Sequence, residues 1–235
     1  VITLDSVEAG QIRSALRRPR GRYGAERASQ LSGIPKSTLY WWARRGALVP
    51  DFAGSEPKNW SYRDLVLSRL MGWLRVLGMP LDASAERVRM VRTGLVSLAD
   101  EGATVVRSDG RSLLIDPHEA DELTGQLLLE GALAFLPSFD LLEPLRATAL
   151  PAELPKGQTK HWAPNLVRPS DLTRISPWVM GGEPCIVNSR LPTASIWALA
   201  QERNLRPEDI TALYPEVDIV SVREALDLER KLRAA

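Results

Sequence analysis

With one cysteine and two histidines in 235 residues, the chain has little from which to build a metal or nucleophilic centre. Cys185 has no second thiol for a disulfide or a zinc cluster, and only His118 and His161 could assist it. No Ser-His-Asp ordering or paired-carboxylate motif stands out, and Gly181-Gly182 precedes no helix that would make it a phosphate cradle. His118 follows Asp116-Pro117 at an expected helix start, where capping accounts for it; His161 sits beside Trp162. These features argue against an enzyme, a metal and a cofactor. The side chains best placed for chemistry are cations. Lys36, Ser37, Tyr40, Arg44 and Arg45 occupy helical positions that can face outward together, while Leu39 and Trp42 turn inward. Lys36 and Arg44 suit phosphate or guanine contacts, and Ser37 and Tyr40 can hydrogen-bond to base or backbone.

Charge along the chain supports that emphasis. The formal net charge is only +1, yet residues 1–92 hold 16 Lys+Arg against 8 Asp+Glu, residues 93–167 hold 5 against 11, and residues 168–235 hold 9 against 10. A basic block at one end is what phosphate binding requires, because each cation placed at a phosphate releases condensed counterions. An Arg-rich solvated face is the competing explanation.

The elements that must position these residues follow from periodicity and punctuation. An amphipathic stretch from Val7 to Leu16 precedes the basic run RRPRGR, where Pro19 and Gly21 end any helix. AERASQLSG forms a short helix with Ala28 and Leu31 inward. Gly33 breaks it, and PKSTLYWWARRG restarts it, with Pro35 in the first turn and Ser37 or Thr38 able to cap. Two short helices around a glycine turn make a helix-turn-helix signature. The segment ALVPDFAGSEPKNWSY reads as a β-hairpin with a loose tip. Helices follow over about 64–77 and 83–98. A hairpin around Asp109-Gly110 comes next, then a helix from Asp116-Pro117 to about Leu136. Residues 137–169 are proline-rich, but Phe139, Leu142, Trp162 and Leu166 are too apolar to leave in water, so this linker is expected to pack irregularly. Short strands around Gly181-Gly182 and helices over about 193–203, 207–213 and 220–233 complete a trihelical end. The expected class is mainly α with small β-hairpins (α+β), divided into 1–98, 99–169 and 170–235.

Residues 23–50, YGAERASQLSGIPKSTLYWWARRGALVP, resemble the start of MerR-family DNA-binding domains. The likeness continues through Lys58-Asn59-Trp60-Ser61-Tyr62-Arg63-Asp64-Leu65, where that family has a basic residue, an aromatic and an Asp-Leu opening the next helix. It implies a winged helix-turn-helix whose second helix enters the major groove. Lys58, Trp60 and Arg63 would then join Lys36, Ser37, Tyr40, Arg44 and Arg45 at operator DNA. Tyr40 stands where such proteins usually carry Arg, which either replaces a charged contact by a neutral one or keeps the fold with reduced DNA affinity. Trp41, Trp42, Trp60 and Trp73 fit a core as well as a DNA contact.

A second motif lies at the other end. Gly182-Glu183-Pro184-Cys185-Ile186, Asn188-Ser189-Arg190-Leu191-Pro192 and Tyr214-Pro215 resemble the bacterial domain of unknown function 433, with Asn188 and Ser189 replacing Gly and Thr. Asn tolerates a left-handed turn and Ser189 keeps the hydroxyl; Arg190 is expected in a structural ion pair. The resemblance implies a VapB-like antitoxin of a type II toxin–antitoxin pair whose partner is a PIN-like ribonuclease toxin. The last helix carries Arg223, Glu224, Asp227, Glu229, Arg230 and Lys231, a mixed surface suited to protein more than to DNA. A PIN-like site is a carboxylate cluster around divalent metal, so Arg223, Arg230, Lys231 and Arg233 are the candidates to face it.

The leading expectation is therefore an antitoxin that binds its toxin and, as a homodimer, represses its own operon. A MerR-like regulator responding to a small ligand in the acidic middle segment is the alternative, and an interaction scaffold that no longer reads DNA is a third. No stretch approaches the roughly 18 apolar residues of a membrane span, and VITLDSVEAGQIRS lacks a signal-peptide layout, so a bacterial cytoplasmic location is expected.

Overall fold

A computed structural model describes residues 14–15, 18–55, 57–76, 78–100, 107–108, 113–114, 148–149 and 162–234. The chain is α+β: among the described residues, seven helices with small antiparallel strand pairs. Strand β1 (Tyr23–Gly24) leads into α1 (Ala25–Ser32), whose inward residues Ala25, Ala28 and Leu31 recur at helical spacing. Gly33 and Gly46 close α1 and α2 (Lys36–Arg45) in the left-handed conformation that glycine adopts without steric cost. Pro35, not Ser37 or Thr38, occupies the N-cap of α2, and no side chain caps it; both hydroxyl residues already lie inside the helix, past the reach of a cap.

The expected hairpin over 47–62 is largely replaced. One bridge, Phe52 to Asn59, survives, while β2 (Asn59–Trp60) pairs with β1, Tyr23 opposite Trp60 and Gly24 opposite Asn59. Helix α3 (Tyr62–Val76) begins with reciprocal hydrogen bonds between Ser61 and Asp64, the pattern of a capping box. Every residue from Tyr62 to Gly72 is buried, so α3 is the central post against which α1 and α4 (Leu81–Asp100) pack.

In the middle segment β3 (Arg107–Ser108) pairs with β4 (Leu113–Leu114), as the Asp109-Gly110 turn predicts. The expected helices over 7–16 (apart from Ser14–Ala15) and 117–136, with Phe139 and Leu142, lie outside the described residues. Strand β5 (Thr148–Ala149) pairs with β6 (Trp162–Ala163). Leu166 is fully buried and Trp162 packs against the core, in keeping with a linker that packs.

The last segment pairs β7 (Thr173–Ile175) with β8 (Pro184–Ile186) across a 3-10 turn at Met180–Gly182. Helices α5 (Thr193–Glu202), α6 (Pro207–Leu213) and α7 (Ile219–Ala234) follow close to their expected bounds. Packing joins what the sequence divides. Val222 and Ala225 of α7 complete a small core with Ile186, Ile196, Ile210 and Val217. Leu228 and Leu232, one to two turns later, enter the large core of α1–α4 with Leu166, Val167 and Ile175.

Candidate nucleic-acid interface

Helix α2 shows two chemically different sides. Leu39 and Trp42 are buried, whereas Lys36, Ser37, Trp41, Arg44 and Arg45 are exposed. The Arg45 guanidinium lies 5.5 Å from the Trp41 ring centroid, a cation–π contact that stiffens the side chain while leaving its charge in solvent. Lys36 meets Glu26 at 3.3 Å with both side chains more than half exposed, a pair too solvated to hold the lysine. Among the described residues Arg44 and Arg45 have no carboxylate partner. Tyr40 is half-buried, its ring edge-on to Trp60 at 5.4 Å between centroids.

Two expected contact residues are corrected by their burial. Trp60 has no exposed surface because the β1–β2 pairing folds it under Tyr23 and Tyr40. Arg63 is 6 % exposed and grips Asp51, Nη2 to Oδ1 at 2.6 Å and Nε to Oδ2 at 3.2 Å. Neither can present its side chain to a partner without breaking these contacts. Lys58, just before β2, is half-buried.

Arg63 belongs to a network that the sequence did not reveal. Arg92 of α4 bridges Asp64 at 2.5 Å and Asp51 at 3.4 Å, and the second Asp64 oxygen accepts the backbone N–H groups of Asp51 and Ser61. Burial opposes the Asp51 charge, but hydrogen bonds from Arg63 and Ser61 and the Arg92 charge hold its carboxyl below the usual range. Burial, then the neighbouring Asp51 charge, pushes Asp64 up to about 6. Together these groups tie the 51–61 segment to α3 and α4, and fix the loop that follows α2.

Behind α2, α1 is tied to the C-terminal segment. Arg27 donates to Glu183 (2.8 Å) and to both oxygens of Glu229 (2.7 and 3.2 Å). Glu229 is fully buried and also accepts from the Thr193 hydroxyl at 2.6 Å. Burial works against the Arg27 charge, yet the two glutamates raise its pKa. Tyr23 donates its hydroxyl to the Gly182 carbonyl at 2.9 Å; a Cβ on Gly182 (φ 90°) would lie 2.1 Å from that hydroxyl oxygen. Gly182 and Glu183 of the C-terminal motif thus face the N-terminal half. Burial pushes the Cys185 thiol up to about 11, which disfavours the thiolate.

The rest of that motif is conformational. Asn188 has φ 59°, and the Ser189 hydroxyl donates to Ile186 O and accepts from Leu191 N, both at 3.1 Å. Pro192 is the N-cap of α5, and Tyr214, followed by exposed Pro215, ends α6. Arg190 is corrected: it is exposed and makes no ion pair among the described residues. On α7, Arg223 pairs with Glu208 at 3.2 Å, Arg230 pairs with Asp227, and Lys231 is exposed. Arg233 instead reaches back to Glu229 at 3.4 Å and lies over Trp197 at 5.3 Å.

Residues 174–227 match the family described as protein of unknown function (DUF433), the segment that carries the C-terminal motif. No curated protein and no solved structure shows a significant match to the chain. Among the described residues no group of three or more His, Cys, Asp or Glu side chains could hold a metal ion, and no helix is long and apolar enough to cross a membrane.

Proposed function

We propose that the chain is a bacterial, cytoplasmic antitoxin: its N-terminal half binds operator DNA as a homodimer, and its C-terminal half binds a PIN-like ribonuclease toxin. In this reading α1, the Gly33 turn, α2 and the β2 wing make a winged helix-turn-helix. The observation that carries the proposal is the outward face of α2, where Lys36, Ser37, Arg44 and Arg45 are exposed on a helix whose other side is fixed by Leu39 and Trp42. Such a face meets the two needs of a major-groove reader, solvent-facing donors and an immobile frame. The partner arm is supported by the resemblance of the C-terminal motif and by the exposed stripe of Arg223, Arg230 and Lys231 on α7.

The DNA arm is tested by a mobility shift with the DNA directly upstream of the gene. Replacing Arg44 and Arg45 together by alanine is expected to weaken binding at least roughly tenfold without loss of helical signal; unchanged affinity overturns this arm. Co-expression with the adjacent gene tests the other. A stable complex that restores growth, and is lost on Arg230→Glu with Lys231→Glu, is expected. Growth arrest with no complex removes the toxin partner and leaves DNA binding standing.

A further inference from the structure

The run Arg18-Pro19-Arg20-Gly21-Arg22 precedes β1 and is absorbed by none of the elements above. Its backbone is clamped from two sides: Arg22 N–H donates to the Gly181 carbonyl at 2.7 Å, and the Arg20 carbonyl accepts from Tyr62 N–H at 2.7 Å. The main chain therefore does the structural work, and the arginine side chains are left to solvent. Two are held over aromatic rings. Arg20 lies 5.9 Å from the centroid of Trp178, in the loop between β7 and β8, and Arg22 lies 5.5 Å from Phe52, in the wing. Among the described residues none of the three arginines has a carboxylate partner.

The loop side of the clamp is unusual. Met180, Gly181 and Gly182 all have positive φ (47°, 68° and 90°), a region that strains a non-glycine residue such as Met180. Trp178 is 40 % and Met180 43 % exposed. A strained loop that leaves two large apolar side chains in water, while presenting one carbonyl to Arg22 and one ring to Arg20, is poorly explained as packing.

We infer that Arg20 and Arg22, held between the wing and the Trp178–Gly182 loop, form with the exposed Arg18 before them a second phosphate-binding strip that carries duplex DNA past the wing onto the C-terminal segment. The inference rests on the DNA-binding reading of α2 and adds to it that the C-terminal segment shapes the DNA contact. Aromatic faces hold a guanidinium without neutralising it, and neighbouring cations held in this way beside a wing offer the charge that a phosphate backbone needs. Because Arg22 touches Phe52, the strip is continuous with the wing and not a separate patch.

Salt titration of the full chain on the upstream duplex and on a scrambled duplex tests this. Each phosphate contact contributes about 0.9 to the slope of log affinity against log salt, so Arg20→Gln with Arg22→Gln is expected to flatten the slope by about 1.8 on both duplexes. Binding should fall roughly ten- to a hundredfold near 0.1 M salt. Both substitutions keep the backbone bonds of the clamp, so helical signal and denaturation midpoint of the double variant should match wild type. Trp178→Ala is expected to lower affinity by about two- to fivefold with the slope unchanged, because Arg20 keeps its charge but loses its support. A wild-type slope and affinity in the double variant overturns the strip, as does a loss confined to binding of the co-expressed neighbour, which would make the patch a protein contact. A wild-type chain that binds neither duplex instead overturns the DNA reading itself.

Discussion

Arg27→Met keeps the aliphatic stem beside α1 but deletes a guanidinium that faces two carboxylates. Glu183 is about a quarter exposed on its side chain and can turn to water, so its loss is small. Glu229 has no exposed surface and keeps only the Thr193 hydroxyl at 2.6 Å and Arg233 at 3.4 Å. Breaking a buried pair from one side costs about 3–5 kcal/mol; the two remaining partners place this case near the lower end, about 3 kcal/mol. Glu229→Gln removes the opposite charge while Arg27 keeps Glu183, and should cost about 1–3 kcal/mol. The double variant strands no charge, so its cost should fall short of the sum by about 1–3 kcal/mol. Denaturant titration followed by tryptophan fluorescence measures all three, with Trp42 and Trp60 reporting on the N-terminal half and Trp197 on α5. Because Arg27 joins α1 to α7 and to Glu183 just before β8, the single variant should also split one transition into two. A loss under about 1 kcal/mol for Arg27→Met, or simple additivity in the double variant, would refute the idea that this junction couples the halves.

Gly182→Ala is expected to destabilise by more than about 2 kcal/mol, because φ 90° is strained for alanine and the new methyl meets the Tyr23 hydroxyl. Adding Tyr23→Phe should recover part of that loss, and denaturation midpoints that show no recovery would argue for backbone strain alone. The Asp64 carboxyl, raised from 3.8 to about 6, favours the folded state most below its unfolded pKa and loses that contribution as pH rises through about 6. Between pH 4 and 7, wild type should therefore lose stability relative to Asp64→Asn, as read from denaturation at each pH; parallel curves would contradict the raised pKa.

What the sequence made legible was local. The two short helices around Gly33, the end of the second at Gly46, the Tyr214-Pro215 break and the left-handed Asn188 each depend on a few neighbouring residues, and the structure places them as expected. What it hid depends on distant partners. Trp60 and Arg63 look like contact residues until the two-residue strand Tyr23–Gly24, too short to leave a periodic signal, covers one and Asp51 takes the other. Glu229 reads as part of the charged surface of the last helix, yet its partner Arg27 lies 202 positions earlier and the pair is buried. Its neighbour Glu224 is likewise committed, accepting the Leu172 N–H at 2.5 Å. Charge alone cannot separate a solvated helix face from the lid of a shared core, because both are amphipathic. The toxin-facing candidates divide for the same reason: Arg233 is tied to Glu229, whereas Arg223, Arg230 and Lys231 remain on the outer stripe.

Hydrogen exchange of the full chain with and without the upstream duplex tests most directly whether α2 is the DNA-reading element. The account predicts slowed exchange over residues 36–46 and in the 18–22 strip, with residues 207–213 and the outer face of α7 unchanged. Slowed exchange confined to 207–233, or none anywhere at concentrations where the duplex is bound, would contradict it.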